Sequence, residues 1–183
     1  VPRVGCVGCS PTCKPSLRFV VTSSSPDFLR ILRVLVKHDV DFIIVGGVAA
    51  VIQGVPVTTA DLDVVHRRSS ANVDRLLAAL HELSAHSRLD PRLLRPEPSH
   101  LLSAGHQLLV TDAGLLDVLG EIAGGQDYES LIGDAQLFDI DGHPIRVLSL
   151  EQLIETKARA GRPRDAAMLP LLRLTLDEKN RGA

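Results

Sequence analysis

Aromatic side chains are scarce in this 183-residue sequence: there is no tryptophan, one tyrosine (Tyr128) and four phenylalanines, 3% in all. A protein that holds single-stranded nucleic acid by stacking bases on aromatic platforms is therefore not expected. An excess of one charge is also missing. Twenty Lys and Arg against 22 Asp and Glu leave a formal net charge of −2, so a nucleic-acid partner would have to be gripped locally, through few phosphate contacts. No apolar run approaches the ~20 residues that cross a bilayer, and the first residues lack the apolar segment of a signal peptide. The expectation is a soluble, cytoplasmic protein with no membrane partner. Cysteine is confined to Cys6, Cys9 and Cys13. That C-x2-C-x3-C run lacks a fourth metal ligand, since the nearest histidine, His38, falls inside a predicted helix. The seven histidines show no H-x-x-x-H spacing, and no G-x-S-x-G occurs, which excludes hydrolases built on those motifs.

What is present is enough apolar residue, 45% of the chain, to bury a core. Residues 1–25 read as a flexible, functionally silent leader, and Val1 points to a fragment or a non-standard start. Residues 26–183 read as a single domain whose C-terminal helices begin near 149. A Ser-Pro-Asp signal at 25–27 starts a helix, with Phe28, Leu29, Leu32, Leu35 and Val36 at helical spacing. Val40 to Val45 is a β-branched apolar run and predicts a buried strand. Gly46-Gly47 breaks it, and Val48 to Gln53 reads as a short helix closed by Gly54. Asp61 to Val65 is a second strand. Ser70 to Leu83 is an amphipathic helix with Val73, Leu76, Leu77 and Leu80 on one stripe. Residues 84–103, rich in Pro, Arg and His, predict only short strands. His106 to Val110 and Leu115 to Leu119 pair around a turn, and Ala135 to Ile140 with His143 to Leu148 form a hairpin on Asp141-Gly142. Ser149 caps a helix, with Gln152 completing a capping box. A last helix runs from Pro163 towards Glu178 and is kinked at Pro170. The fold class is α/β (α+β): a mixed sheet flanked by helices, with a helical tail.

Four features carry chemistry. Asp61 and Asp63 sit in an otherwise apolar strand, where period two puts both carboxylates on one face, Cα atoms about 6.5 Å apart. They repel each other and lose solvation unless a cation lies between them, and hard oxygen donors favour Mg²⁺. A solvent-facing sheet edge is the plain alternative. Asp117 lies at the centre of a second apolar strand. Placed beside the first pair, it completes an acidic cluster able to hold two Mg²⁺ about 3.5–4 Å apart for in-line phosphoryl transfer, or to deprotonate an attacking hydroxyl. Gly46-Gly47 lets backbone N–H groups approach an anion, although paired glycines also serve simple tight turns. Lys157 lies on the buried stripe of its helix with Leu150, Leu153 and Ile154, and needs an anion: a nucleoside triphosphate, or Asp165 in an internal ion pair. Arg162 and Arg164 should face solvent, within reach of acceptor phosphates. Arg67-Arg68 follow the D-x-D strand as a solvated turn, at the end where phosphate would be met. Tyr128 is more readily packing than a stacking platform.

The order Phe42-Ile-Ile-Val-Gly46-Gly47, then Thr58-Thr59-Ala60-Asp61-Leu62-Asp63, resembles the first motif of nucleotidyltransferases with the DNA-polymerase-β-like fold. Leu115-Leu116-Asp117-Val118-Leu119 resembles their third-carboxylate strand. Residues 147–165, with Lys157 and Asp165, are similar to the C-terminal motif of the AbiEii-type branch, which includes mycobacterial Men-type toxins. The resemblance implies that Gly46, Gly47 and Thr59 bind nucleotide and that Asp61, Asp63 and Asp117 hold Mg²⁺. Lys157 and Asp165 then position the NTP. It further implies transfer of a nucleotide, preferentially from CTP or UTP, to the 3′ end of tRNA, which blocks aminoacylation, and a cognate antitoxin as partner. Val48 stands where many members have a phosphate-binding serine, and Val57 where many have an arginine. The alternatives are transfer to a protein or small-molecule hydroxyl, such as that of an aminoglycoside, and a non-catalytic antitoxin or regulatory module.

Overall fold

A computed structural model of the chain describes residues 26–182; the leader and its cysteine run lie outside them. The strands are β1 (Phe42–Val45), β2 (Asp61–His66), β3 (His86–Ser87), β4 (His106–Thr111), β5 (Gly114–Leu119), β6 (Glu121–Ile122), β7 (Gln126–Asp127), β8 (Ala135–Ile140) and β9 (His143–Leu148). Seven of them make one mixed sheet in the order β3-β4-β5-β2-β1-β9-β8, while β6 and β7 pair separately. β1 and β2 are antiparallel, and β2 runs parallel to β5. β1 is apolar throughout because it lies between β2 and β9 and all four of its residues are buried.

Helices cover the sheet. α1 (Phe28–Lys37) buries Ile31, Leu32, Val34 and Leu35, each large apolar side chain contributing on the order of 1.5–3 kcal/mol. Leu29, expected on that stripe, is 46% exposed, and the N-cap is Asp27, whose carboxylate accepts from the Arg30 N–H at 2.9 Å. α2 (Gly46–Ile52) begins two residues earlier than the sequence predicts, at the glycines themselves. α3 (Ser70–Glu82) buries Val73, Leu76 and Leu80 as predicted, and also Asn72.

The 84–103 segment holds more than short strands: α4 (Pro98–Leu102) has Pro98 in its first turn and a Glu97/His100 capping box. A short α5 (Tyr128–Leu131) follows β7. α6 (Leu150–Ala160) is capped by Ser149, which accepts from the Gln152 N–H at 3.3 Å. The second half of the expected capping box is not made, since the buried Gln152 Oε1 has no hydrogen-bond partner. α7 runs from Pro163 to Gly182 with Pro170 inside it, past the predicted end, and packs on α6. None of the described helices is long and apolar enough to cross a membrane.

Candidate active site

The site is built at the start of β2. Alternation along this strand sends Leu62 and Val64 into the core, both fully buried, and turns Asp61 and Asp63 to the other face, half-buried. Strand register then sets the neighbours. Asp63 lies opposite Val45 on β1 and opposite Asp117 on β5, and registered residues share a face about 4.8 Å apart. The three carboxylates are thereby gathered on one patch of sheet, two from β2 and one from β5. Thr59 steadies the first of them: its hydroxyl donates to Asp61 Oδ1 at 2.9 Å.

The glycines are required by this crowding. Gly46 has φ +65°, and a Cβ there would collide with the Asp63 carboxylate. A Cβ on Gly47 would fall 2.7 Å from Thr59 Oγ1. Both residues line the cleft, and the Gly47 N–H donates to Asp63. Val48 is buried in the core, so this position presents no polar group to the cleft.

Electrostatics mark Asp63 as the most stressed group. Burial pushes its carboxyl up to about 7, and the charges of Asp61 and Asp117 add to that, against the opposing pull of Lys157 and the Gly47 N–H. Burial also raises Asp117, with the Arg88 guanidinium opposing and Asp61 adding. Asp117 is the one carboxylate of the three with a cationic partner: Arg88 Nη2 stands 2.8 Å and 3.1 Å from its two oxygens. Asp61 and Asp63 offer hard oxygen donors in a place short of positive charge, which suits Mg²⁺ completed by phosphate and water oxygens. Among the described residues no three His, Cys, Asp or Glu side chains already converge as a cation cage.

A cleft of about 490 Å³ opens above the acids. One wall comes from α6 and α7 and includes Lys157, Arg162, Arg164 and Asp165; the other is apolar, with Leu108, Leu119 and Ile122. Lys157 and Asp165 form an ion pair at 2.8 Å, their side chains 14% and 15% exposed. Lys157 thus faces the cleft and its charge reaches Asp63, yet one of its hydrogen bonds goes to Asp165. Arg162 and Arg164 are exposed, as predicted, but on the cleft rim.

One reading needs correction. Arg67 and Arg68 sit at the opposite end of β2 from Asp61 and are engaged by protein acids: Arg67 Nε binds Glu129 at 2.7 Å, and Arg68 binds Asp127 at 3.2 Å. Neither lines the cleft. Tyr128 is packing, as the sequence reading favoured: it is 2% exposed and lies under the Arg67 guanidinium, which stands 4.7 Å from its ring centroid. Sequence reasoning also missed Arg88, His106 and the apolar wall. Arg88 stands in a segment without periodic signal, and nothing local announces that it reaches β5.

Solved structures that share this fold include nucleotidyltransferases. The chain superposes on the lincosamide antibiotic adenylyltransferase LnuA with bound lincomycin at a TM-score of 0.55, with 13% identity over 80% of this chain and 94% of that one. For the resistance factor ANT(2″)-Ia in complex with adenylyl-2″-tobramycin the values are 0.54, 19%, 83% and 89%. For a candidate nucleotidyltransferase of Thermotoga maritima they are 0.51, 22%, 82% and 93%. No curated protein sequence matches the chain. Fold and sequence together define an enzyme that transfers nucleotides. More narrowly, the chain belongs to the aminoglycoside-2″-adenylyltransferase family, whose model matches residues 27–169. These findings reach the superfamily and that family and say nothing of the toxin branch.

Proposed function

We propose that this enzyme transfers a nucleoside monophosphate, AMP in the first instance, from its triphosphate to a hydroxyl of a small molecule of the aminoglycoside or lincosamide kind. The observation that carries the transfer is the gathering of Asp61, Asp63 and Asp117 on adjacent strands at the floor of one cleft. The family match and the cleft's size, about 490 Å³, support a small acceptor, since a drug-sized ligand fills ~300–1,000 Å³.

In this reading Asp61 and Asp63 hold Mg²⁺, and Asp117 stands beside them. When bound, the ion neutralises charge that develops on the phosphoryl oxygens. The chain's own groups do the rest. Gly46 and Gly47 leave the backbone bare, so a triphosphate can come close to the strand end. Lys157, held by Asp165, balances the β- and γ-phosphates, and Thr59 keeps Asp61 in place. Asp117 accepts the proton of the acceptor hydroxyl. That oxygen bonds to the α-phosphorus, the bond from α-phosphorus to the bridging oxygen breaks, and pyrophosphate leaves with the electron pair.

Transfer of a pyrimidine nucleotide to the 3′ end of tRNA, with an antitoxin partner, is the second reading. Arg162 and Arg164 on the rim favour it, because they present cations where a polynucleotide would enter. One experiment separates the two. The protein is incubated with Mg²⁺, each α-labelled NTP, and either a panel of aminoglycosides and lincosamides or total tRNA. Labelled ATP passing to a small molecule is the expected result. Label on tRNA alone would select the second reading, and label on neither would remove both.

A further inference from the structure

Asp117 differs from the other two acids of the cluster in having a cation already attached. The arginine responsible is anchored rather than trailing in solvent. The Arg88 N–H donates to the Leu108 carbonyl at 2.8 Å, and the preceding Ser87 N–H donates to Leu94 O at 2.7 Å. Leu108 is itself the β4 residue in register with Asp117. Arg88 is therefore fixed across the intervening β4 from the carboxylate it meets, and its side chain is only 26% exposed against 10% for Asp117.

We propose that the Arg88 guanidinium takes the place of a second divalent ion at Asp117, so that the active site loads one such ion, at Asp61 and Asp63. This rests on the transfer reaction proposed above. A carboxylate has about four lone-pair sites, and Arg88 Nη2 contacts both oxygens of Asp117. What is left can accept a proton from an acceptor hydroxyl but is a poor contribution to the near-octahedral oxygen shell that Mg²⁺ demands. An arginine stays charged at any working pH, so it brings positive charge to Asp117 without having to be loaded. Asp61 and Asp63 have no ion-pair partner among the described residues, in contrast, and remain open to a cation. Arg88 acts through Asp117 and is a positioning residue.

The test counts ions. Wild-type protein and the Arg88→Met and Arg88→Gln variants are titrated with Mn²⁺ in the presence of adenosine α,β-methylene triphosphate. Bound Mn²⁺ per chain and its electron paramagnetic resonance spectrum are recorded, with Asp61→Asn as reference. Arg88→Gln is the milder change and serves if Arg88→Met does not fold. The expected result is one protein-dependent Mn²⁺ in the wild type with an isolated-ion spectrum. In the neutral variants a second Mn²⁺ with the broadened spectrum of a close pair is expected, and Arg88→Lys should stay at one. Two ions in the wild type would overturn the proposal, because Arg88 would then yield to the metal. One ion in every variant would overturn it as well, because Asp117 would take no metal even when freed. A wild type that binds no Mn²⁺ beyond Asp61→Asn would overturn the parent reading with it, and that outcome is recognisable by the unchanged reference.

Discussion

The two ends of β2 carry similar residues and opposite chemistry. At the His66 end every charge is answered. Asp41 binds Arg75 at 3.0 Å and Arg67 at 3.4 Å, Arg67 binds Glu129, and Arg68 binds Asp127. Asn72, fully buried, accepts from the Asp41 N–H and donates to the carbonyls of Asp41 and Arg67. At the Asp61 end, five residues back along the same strand, Asp61 and Asp63 share a face with Asp117, and burial and mutual repulsion leave Asp63 with a carboxyl titrating at about 7. One end is a finished network that holds β2 to α3 and α5. The other is unfinished until something positive arrives. The contrast teaches that a charged residue near a strand end has no fixed meaning; whether the fold supplies its partner decides between structure and function.

Substitutions at the two ends should therefore part stability from activity. The largest effect belongs to Asp63→Asn, which should lower nucleotide transfer by about 10³-fold while raising the melting temperature of the metal-free protein at pH 8. A melting temperature that fell would break the comparison. Asn72→Ala, at the finished end, should do the reverse. It strands the Asp41 N–H and the Arg67 carbonyl and should cost on the order of 2–4 kcal/mol in urea unfolding, with kcat unchanged in the protein that remains folded. Lys157→Met should raise KM for the triphosphate about tenfold, equivalent to ~1.4 kcal/mol, and change kcat less; steady-state kinetics at saturating acceptor would show it.

The smallest effect is a pH slope. The Asp63 carboxyl titrates near its ordinary value in the unfolded chain and at about 7 in the folded one. Between those values the folded state binds the extra proton, so stability falls as pH rises from about 4 to about 7 and levels off above. In chelator, the melting temperature of the wild type relative to Asp63→Asn should decline over that window. Mg²⁺ should restore it above pH 7. A difference that stays flat, or rises, contradicts the electrostatic reading of this end.

Much of this was legible in the sequence, and the reasons are local. The unbroken apolar run Phe42–Val45, the alternation Asp61-Leu62-Asp63-Val64 and the lone acid in Leu115–Leu119 each state their own environment. A period of two is enough to predict that Asp61 and Asp63 share a face. The Gly46-Gly47 break was legible too, although its cause, the Asp63 carboxylate lying where a Cβ would be, is a tertiary contact. What stayed hidden depends on pairing between distant strands. The register of β2 against β5 puts Asp117 opposite Asp63, and no pattern within either strand specifies it. Arg88 lies 29 residues from its partner in a segment with no hydrophobic period. Arg67-Arg68 read as available because nothing nearby names Glu129 or Asp127, which arrive from β7 and α5. Leu29 fitted the helical stripe as well as Ile31 does, and only the way α1 is seated on the sheet chooses between them.

The central claim is that the carboxylates of β2 and β5 support metal-dependent transfer of a nucleotide to an acceptor hydroxyl. Mass spectrometry of an aminoglycoside and lincosamide panel after incubation with ATP and Mg²⁺ addresses it most directly, run in parallel for wild type, Asp61→Asn and Asp63→Asn. The account predicts an acceptor gaining the mass of one adenylyl group with the wild type, released pyrophosphate in equal amount, and neither product with the two variants. An adenylylated acceptor formed equally well by Asp61→Asn and Asp63→Asn would contradict it.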